Sequence, residues 1–271
     1  MEKLNLSLPG LSVSHYDPIA HGRMRADTIN STPGDLTDYD CPKCRNRGFL
    51  ADIREDGSLY TKDCSCMRIR RCIREMEKSG LKNSIQKMTF QAFQADADWQ
   101  KTVLKAAKDY AGQNTTDWFV MCGQSGSGKT HLCTAICRQR LWAGQEVRYM
   151  SWRETVTMLK AMSLDSEKRT ELMDRYRNAQ ILYIDDFYKC GKTDDGKSTP
   201  TQSDINLAFE LINHRYINNL VTILSTERTP HELVAIDEAI GSRIIERAST
   251  HMYHINKDLK KNYRMHAIVD L

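Results

Sequence analysis

Between Trp118 and Trp142 the sequence runs WFVMC, then GQSGSGKT, then HLCTAICRQRLW. A short apolar run meets a glycine-rich loop, which opens into a helical pattern. The loop, Gly123–Thr130, fits the spacing G-x-x-x-x-G-K-[ST] in its required strand–loop–helix setting. Gly126 and Gly128 permit backbone conformations that turn several N–H groups inward, and the start of the following helix adds partial positive charge. Lys129 is placed to reach the terminal phosphates of a nucleotide, and Thr130 offers a hydroxyl ligand to Mg²⁺. A plain glycine-rich turn needs neither of these two residues. The candidate binding residues are therefore Gly123, Gln124, Ser125, Gly126, Ser127, Gly128, Lys129 and Thr130. His131 beside them joins the candidate binding set, as a first-turn helix residue rather than a catalyst.

A phosphate cradle of this kind needs a metal-holding carboxylate at the end of a neighbouring strand. ILYIDD supplies it: Asp185 is placed to hold Mg²⁺, and Asp186 to orient or deprotonate an attacking water. Further strands are predicted at Glu146–Trp152 (EVRYMSW) and Val221–Leu224 (VTIL), with a possible edge strand over Thr250–Ile255. Helical patterns such as SDINLAFELINHRYIN fill the gaps. Strands alternating with helices predict an α/β fold with a parallel sheet flanked by helices.

The nine cysteines are an odd number, in a chain whose first residues, MEKLNLSLPG, lack the basic-then-apolar layout of a secretory signal. That argues against a disulfide framework and for reduced thiols. Five of them fall within residues 41–72. Cys41-Pro-Lys-Cys44, nineteen residues, then Cys64-Ser-Cys66 provide two short chelates joined by a hairpin-length spacer, enough to close four thiolates around one structural Zn²⁺. Gly48 is available for a tight turn. Cys72, on the helix that follows, reads as a packing residue, as do Cys122, Cys133 and Cys137.

With 271 residues, 27% charged and 40% hydrophobic, the chain is long enough for one substantial core and a small extra module. No stretch approaches the roughly 18 uninterrupted apolar residues of a membrane span, and a soluble cytoplasmic protein is the expectation. The net charge of +4 is too small to diagnose nucleic-acid binding. It is unevenly spread, however: residues 62–87 carry eight Lys/Arg against three Asp/Glu. Within that segment a basic helix is predicted from Met67 to a stop at Gly80. Its Arg68, Arg70, Arg71 and Arg74 suit a phosphate backbone, an acidic protein surface or simply a solvated face. Residues 1–40 show turn formers and no sustained period, which predicts an arm that is flexible or ordered by a partner. The expected organisation is thus an arm over 1–40, a zinc-binding module with a basic linker helix over 41–88, and an ATPase domain over 89–271.

Taken in order, CPKC…CSCMRIRR, EKSGL, GQSGSGKTHL, ILYIDDFYK, SDIN to INHRY, TILSTERTPHEL and DEAIGSRIIER resemble the DnaC/DnaI/IstB-like branch of AAA+ ATPases. The likeness is greatest to Firmicute- and phage-type replicative helicase loaders with an N-terminal zinc module, and covers about residues 41–271. The resemblance implies an AAA+ P-loop core that binds ATP and Mg²⁺ and hydrolyses ATP at subunit boundaries. It implies a replicative ring helicase, single-stranded DNA and further copies of the chain as partners. By this likeness Arg243 in GSRIIER matches an arginine finger acting on a neighbour's nucleotide, with Arg247 one turn further on, and Arg264 stands near a sensor 2 arginine. Two departures follow from the same comparison. Asp186 stands where many AAA+ proteins carry Glu, which suggests slow or conditional hydrolysis. Glu227 occupies the sensor 1 position, so either Thr226 takes that role or Glu227 points away. A transposition regulator of IstB type, and an ATP-binding switch with negligible turnover, remain alternatives to the loader. The loop Gly191–Pro200 suits either a DNA contact or plain solvent.

Overall fold

The computed structural model describes residues 17–81, 84–190 and 199–265. The chain divides into two compact units, the first ending at Met67 and the second beginning at Arg68.

The first unit holds α1 (Pro18–Ser31) and an antiparallel hairpin of β1 (Phe49–Ile53) and β2 (Leu59–Asp63). The described part of the expected arm contains a helix, α1, that the sequence pattern did not predict. Asp17 caps α1 by accepting from the N–H groups of Ile19 at 2.9 Å and Ala20 at 3.2 Å, and Pro18 occupies the first turn, where no N–H is missed. Sequence periodicity misses α1 because it has no apolar stripe; only Gly22 and Ala26 are buried. The helix is held instead by Asn30. Its Nδ2 donates to the Ala51 carbonyl at 3.0 Å and its Oδ1 accepts from the Ala51 N–H at 2.9 Å, so a side-chain amide completes the open edge of β1.

The helix α2 (Cys66–Met76) begins at the division between the units and continues as a π-helical turn, Glu77–Leu81, which contains the Gly80 expected as a stop. Arg68, Arg71 and Arg74 are exposed. Arg70 departs from the sequence expectation: it is fully buried, so the basic face presents three arginines rather than four. Cys72 is buried, as its packing role predicts.

The rest of the second unit runs α3 (Ser84–Lys87), α4 (Asp98–Gly112), β3 (Phe119–Gly123), α5 (Lys129–Trp142), β4 (Val147–Ser151), α6 (Trp152–Ala161), α7 (Ser166–Arg177), β5 (Ile181–Asp185), α8 (Gln202–Ile217), β6 (Val221–Ser225), α9 (Pro230–Ile236), α10 (Glu238–Ala248) and β7 (Met252–Ile255). The five strands from β3 to β7 form one parallel sheet in the order β4-β5-β6-β3-β7. The strand left open over Thr250–Ile255 is therefore real and lies at the sheet edge, beside β3.

The two-residue period of the strands sorts their side chains onto two faces. Val120, Leu224, Ile184 and Met150 lie in register and pack against Leu211 of α8 and Ile244 of α10. The alternate row, Phe119, Ile223, Tyr183 and Tyr149, belongs to the opposite face, on which α5 buries Cys133, Ile136 and Cys137. Asp185 and Ser225 share this second parity, which aims both at the start of α5.

A buried cation locks the remote end of the sheet. The Arg215 guanidinium, on α8, donates to the carbonyls of Tyr176 at 3.0 Å, Arg177 at 3.1 Å and Ala179 at 2.9 Å, to the Val221 carbonyl, and to the Thr222 hydroxyl at 2.9 Å. Burial pushes its pKa down, to about 9, so it remains a cation at neutral pH. Among the described residues no helix is long and apolar enough to cross a membrane.

Candidate functional site

The cradle is assembled where β3 ends and α5 begins. Gly126 and Gly128 have φ of +71° and +87°, and each faces a close neighbour. A methyl group at Gly126 would stand 1.9 Å from Asn262 Oδ1, and one at Gly128 would stand 2.6 Å from the Phe93 ring. Only glycine satisfies both the backbone and the space at these two points. Lys129 begins α5 and is nearly fully buried; its ammonium donates to the carbonyls of Gly123 at 2.9 Å and Gln124 at 2.7 Å. Burial lowers its pKa, against the attraction of Glu227 and Asp186. An ammonium folded onto the loop's own carbonyls is available for exchange onto phosphate oxygens.

Asp185 is the hub of the second half. Its carboxylate accepts from Thr130 Oγ1 at 3.0 Å, Tyr183 OH at 2.7 Å, Tyr149 OH at 3.2 Å and the Ser225 hydroxyl. Both tyrosine hydroxyls are pushed upward in pKa by burial and by the Asp185 charge, so they remain protonated donors. One residue on, the chain leaves the strand. Asp186 takes a φ of +54°, its N–H donates to Ser225 Oγ at 3.1 Å, and its side chain lines the cavity.

That cavity, about 310 Å³, is lined at one end by Ser125, Gly126, Gly128, Lys129, Thr130, Asp186, Lys189 and Glu227. The other end is formed by Met88, Ala92, Phe93, Gln94, His131, Tyr263 and Arg264. Phe93 meets the His131 and Tyr263 rings edge-on at 5.3 and 5.9 Å. His131 Nε2 lies 2.7 Å from the Thr89 carbonyl, and the Tyr263 hydroxyl accepts from Gln100 at 2.8 Å. A polar end carrying two ammonium groups, joined to an end rich in aromatic rings, suits the phosphates and base of a nucleotide. Ser127 is buried and serves the loop itself, donating to the Gln124 carbonyl at 2.8 Å. Gly123 and Gln124 line an adjoining cavity of about 320 Å³, which shares Ser125, Lys189 and Glu227 with the first.

The two sensor positions come out differently. Thr226 is fully buried, its hydroxyl donating to the Phe187 carbonyl at 2.7 Å and accepting from the Arg228 N–H at 3.1 Å. It lines neither cavity, contrary to its expected contact with nucleotide, because both capacities of its hydroxyl are used in holding the turn after β5. Glu227 does not point away. It lines both cavities and pairs with the Lys189 ammonium at 3.2 Å, while Lys189 also pairs with Asp186 at 2.9 Å. Burial acts to raise the Glu227 carboxyl; the Lys189 ammonium, with the Ser125 hydroxyl and Lys129, outweighs it and holds the group below its ordinary value.

Arg243 lies on α10 and does not line the cavity beside Lys129. Its guanidinium sits 5.6 Å from the Phe209 ring centre and 5.4 Å from that of Tyr216, and donates to the Ala239 carbonyl at 2.7 Å. Arg247 is a fastener: it bonds Asn219 Oδ1 at 3.1 Å and the Thr116 carbonyl at 2.6 Å. Of the loop Gly191–Pro200, only Thr199 and Pro200 fall among the described residues.

In the first unit the four predicted cysteines converge. Cys41, Cys44, Cys64 and Cys66 are all buried, with ligand atoms within 4.8 Å of one another. Sγ separations of 3.8 Å between Cys41 and Cys64 and 3.5 Å between Cys44 and Cys66 are far too long for disulfide bonds. The Gly48 N–H donates to Cys44 Sγ at 3.3 Å. Burial raises the Cys44 thiol, but that N–H and the other three thiols outweigh it and bring it down to about 7. Four soft sulfur donors around one point fit a tetrahedral metal ion.

Sequence reasoning did not reach Met88, Ala92, Phe93, Gln94, Tyr263 or Lys189. The first four precede α4 in a stretch with no motif. Tyr263 is signalled only by adjoining Arg264, and Lys189 only by lying just past the acidic pair.

The profile of the IstB-like ATP-binding proteins matches residues 57–267. The phage-like element PBSX protein XkdC of Bacillus subtilis (strain 168) is 29% identical over 245 residues, covering 87% of this chain and 90% of the relative. The replicative helicase loader DnaC of Escherichia coli (strain K12) is 22% identical over 206 residues, covering 73% and 78%. A crystal structure of the DnaC helicase loader superposes with a TM-score of 0.54 at 19% identity, over 64% of this chain and 98% of that one. The profile match, which spans most of the chain, shows the family: this chain belongs to the IstB/DnaC-like family of AAA+ ATP-binding proteins.

Proposed function

We propose that the protein is an ATP-dependent loader that binds a replicative ring helicase and helps place it on single-stranded DNA. The observation that carries this reading is the union of a nucleotide cavity, centred on Lys129, Thr130 and Asp185, with a likeness to the loader DnaC that spans most of both chains. Thr130 and Asp185 would hold Mg²⁺, which supplies charge neutralisation between the phosphates when bound. Asp186 orients the attacking water, and Lys129 takes phosphate oxygens in place of the loop carbonyls it now meets. Arg243, remote from its own cavity, acts on a neighbouring copy's nucleotide, so hydrolysis depends on self-association. Asp186 is one methylene shorter than Glu, which makes turnover slow unless a partner stimulates it. The four cysteines hold a structural Zn²⁺, and the module around them contacts the helicase.

Co-elution of the purified protein with candidate ring helicases, and their ATP-dependent delivery to single-stranded DNA, tests this reading. Absence of both ends it. The profile match to IstB-like proteins favours a second reading, a transposition-type regulator assembling on duplex DNA. ATP-dependent assembly on duplex but not on single-stranded DNA selects it over the loader.

A further inference from the structure

The phosphate end of the cavity contains two carboxylates that a bare triphosphate would meet with repulsion, Asp186 and Glu227. Between them stands one ammonium. Lys189 Nζ lies 2.9 Å from Asp186 Oδ2 and 3.2 Å from Glu227 Oε1, and its side chain is 39% exposed toward the shared space of the two cavities. The turn that carries it is strained and pinned. Asp186 and Tyr188 have φ of +54° and +58°, a region that non-glycine residues rarely adopt. The Phe187 N–H donates to the Ser225 carbonyl at 2.8 Å, the Phe187 carbonyl accepts from Thr226, and Arg228 reaches the Tyr188 carbonyl at 3.4 Å. The fold thus holds a cation over the acidic pair at a backbone cost, on a turn anchored by the strand that delivers Glu227.

We propose that Lys189 is the group by which this protein distinguishes a nucleoside triphosphate from a diphosphate. The inference rests on the nucleotide reading of the site given above. Without a third phosphate, Lys189 stays on Asp186 and Glu227 and keeps the water-orienting carboxylate engaged. A terminal phosphate competes for the ammonium, gains its charge, and frees Asp186 to face water. Glu227 is then a holder for the cation, which explains how a carboxylate is tolerated beside the phosphate end.

The test is the affinity of the full-length protein, with Mg²⁺, for ADP and for the non-hydrolysable β,γ-imido analogue of ATP, both by titration calorimetry, with thermal melting as a folding control. Lys189→Ala should weaken the triphosphate analogue by about tenfold or more and ADP by less than about threefold, because it removes an attraction and exposes two repulsions specific to the third phosphate. Lys189→Arg should retain the preference. Adding Glu227→Gln to Lys189→Ala should restore part of the lost triphosphate affinity, since one repulsive charge is gone. An equal effect of Lys189→Ala on both nucleotides, or no effect on either, overturns the inference while leaving the nucleotide site intact. Wild-type protein that binds neither nucleotide overturns the site reading itself.

Discussion

Thr130 and Asp185 stand 55 positions apart in the chain and meet through a 3.0 Å hydrogen bond, joining the first turn of α5 to the last residue of β5. The junction is supported from below by the Tyr183 hydroxyl, 2.7 Å from the same Asp185 oxygen that Thr130 reaches. Tyr183 is fully buried, so its hydroxyl has no water to turn to. Tyr183→Phe should therefore cost about 1 kcal/mol of stability and leave Asp185 less well aimed. Expressed in function, the Mg²⁺ concentration for half-maximal ATP hydrolysis should rise severalfold, with nucleotide binding in the absence of metal little changed. A magnesium titration of turnover reads this directly, and an unaltered midpoint would sink the role given to the hydroxyl.

The four-cysteine cluster makes a separate claim. A unit whose described elements are one polar helix and one hairpin has little apolar surface to bury, and the sulfur atoms at its centre are its most constrained feature. Protein purified without added zinc should carry about one zinc per chain. Cys44→Ser or treatment with a strong chelator should release the metal and make residues 17–67 rapidly cleavable by protease, while nucleotide binding by the second unit persists. Elemental analysis giving substantially less than one zinc per chain counts against the four-thiolate site.

A pH effect follows from the start of α8. Asp204 is nearly buried, accepts from the Thr201 N–H at 2.8 Å and pairs with Lys160 at 2.7 Å. Burial acts to raise its carboxyl, and Lys160 with the Thr201 bonds outweighs it, so the folded pKa lies below the ordinary 3.8. A carboxyl with a depressed folded pKa contributes stability in full above its unfolded value and loses it as pH falls through the folded one. Asp204→Asn should therefore lower the melting temperature at pH 7, by an amount equivalent to about 1 kcal/mol, and the gap from wild type should close below about pH 4. A gap independent of pH would assign the effect to packing alone.

The parts of the molecule that the sequence revealed are those governed by local pattern. GQSGSGKT places glycine at three positive-φ positions, ILYIDD ends a buried strand in carboxylates, and the two short cysteine pairs flank the hairpin whose strands bring them together. What stayed hidden is held by distant partners. The helix α1 depends on Asn30 finding Ala51, and the apolar end of the cavity combines Phe93 with Tyr263 from the tail. Arg70 reads as one of four surface arginines because charge is visible in sequence and burial is not. Thr226 and Glu227 exchange their expected placements because the hydroxyl is drawn into the turn after β5, where Phe187 offers a carbonyl.

Arg243 offers the sharpest test of assembly. Its guanidinium rests over Phe209 and Tyr216, and Phe209 remains 40% exposed, so the aromatic pair orients the arginine without enclosing it. If it serves a neighbour's nucleotide, Arg243→Ala and Lys129→Ala proteins should each be inactive alone. Mixed in equal amounts they should recover up to about one quarter of wild-type turnover, because that share of head-to-tail interfaces pairs an intact cavity with an intact arginine. Phe209→Ala should then reduce turnover in the homogeneous assembly with little change in melting temperature, since an exposed cation–π contact contributes only about 0.5–1 kcal/mol. Arg243→Lys should not rescue activity, because an ammonium lacks the planar fork that stacks on one face while presenting donors along its edge. Variants that assemble normally yet show no recovery on mixing would place Arg243 in the packing of α10 against α8 instead.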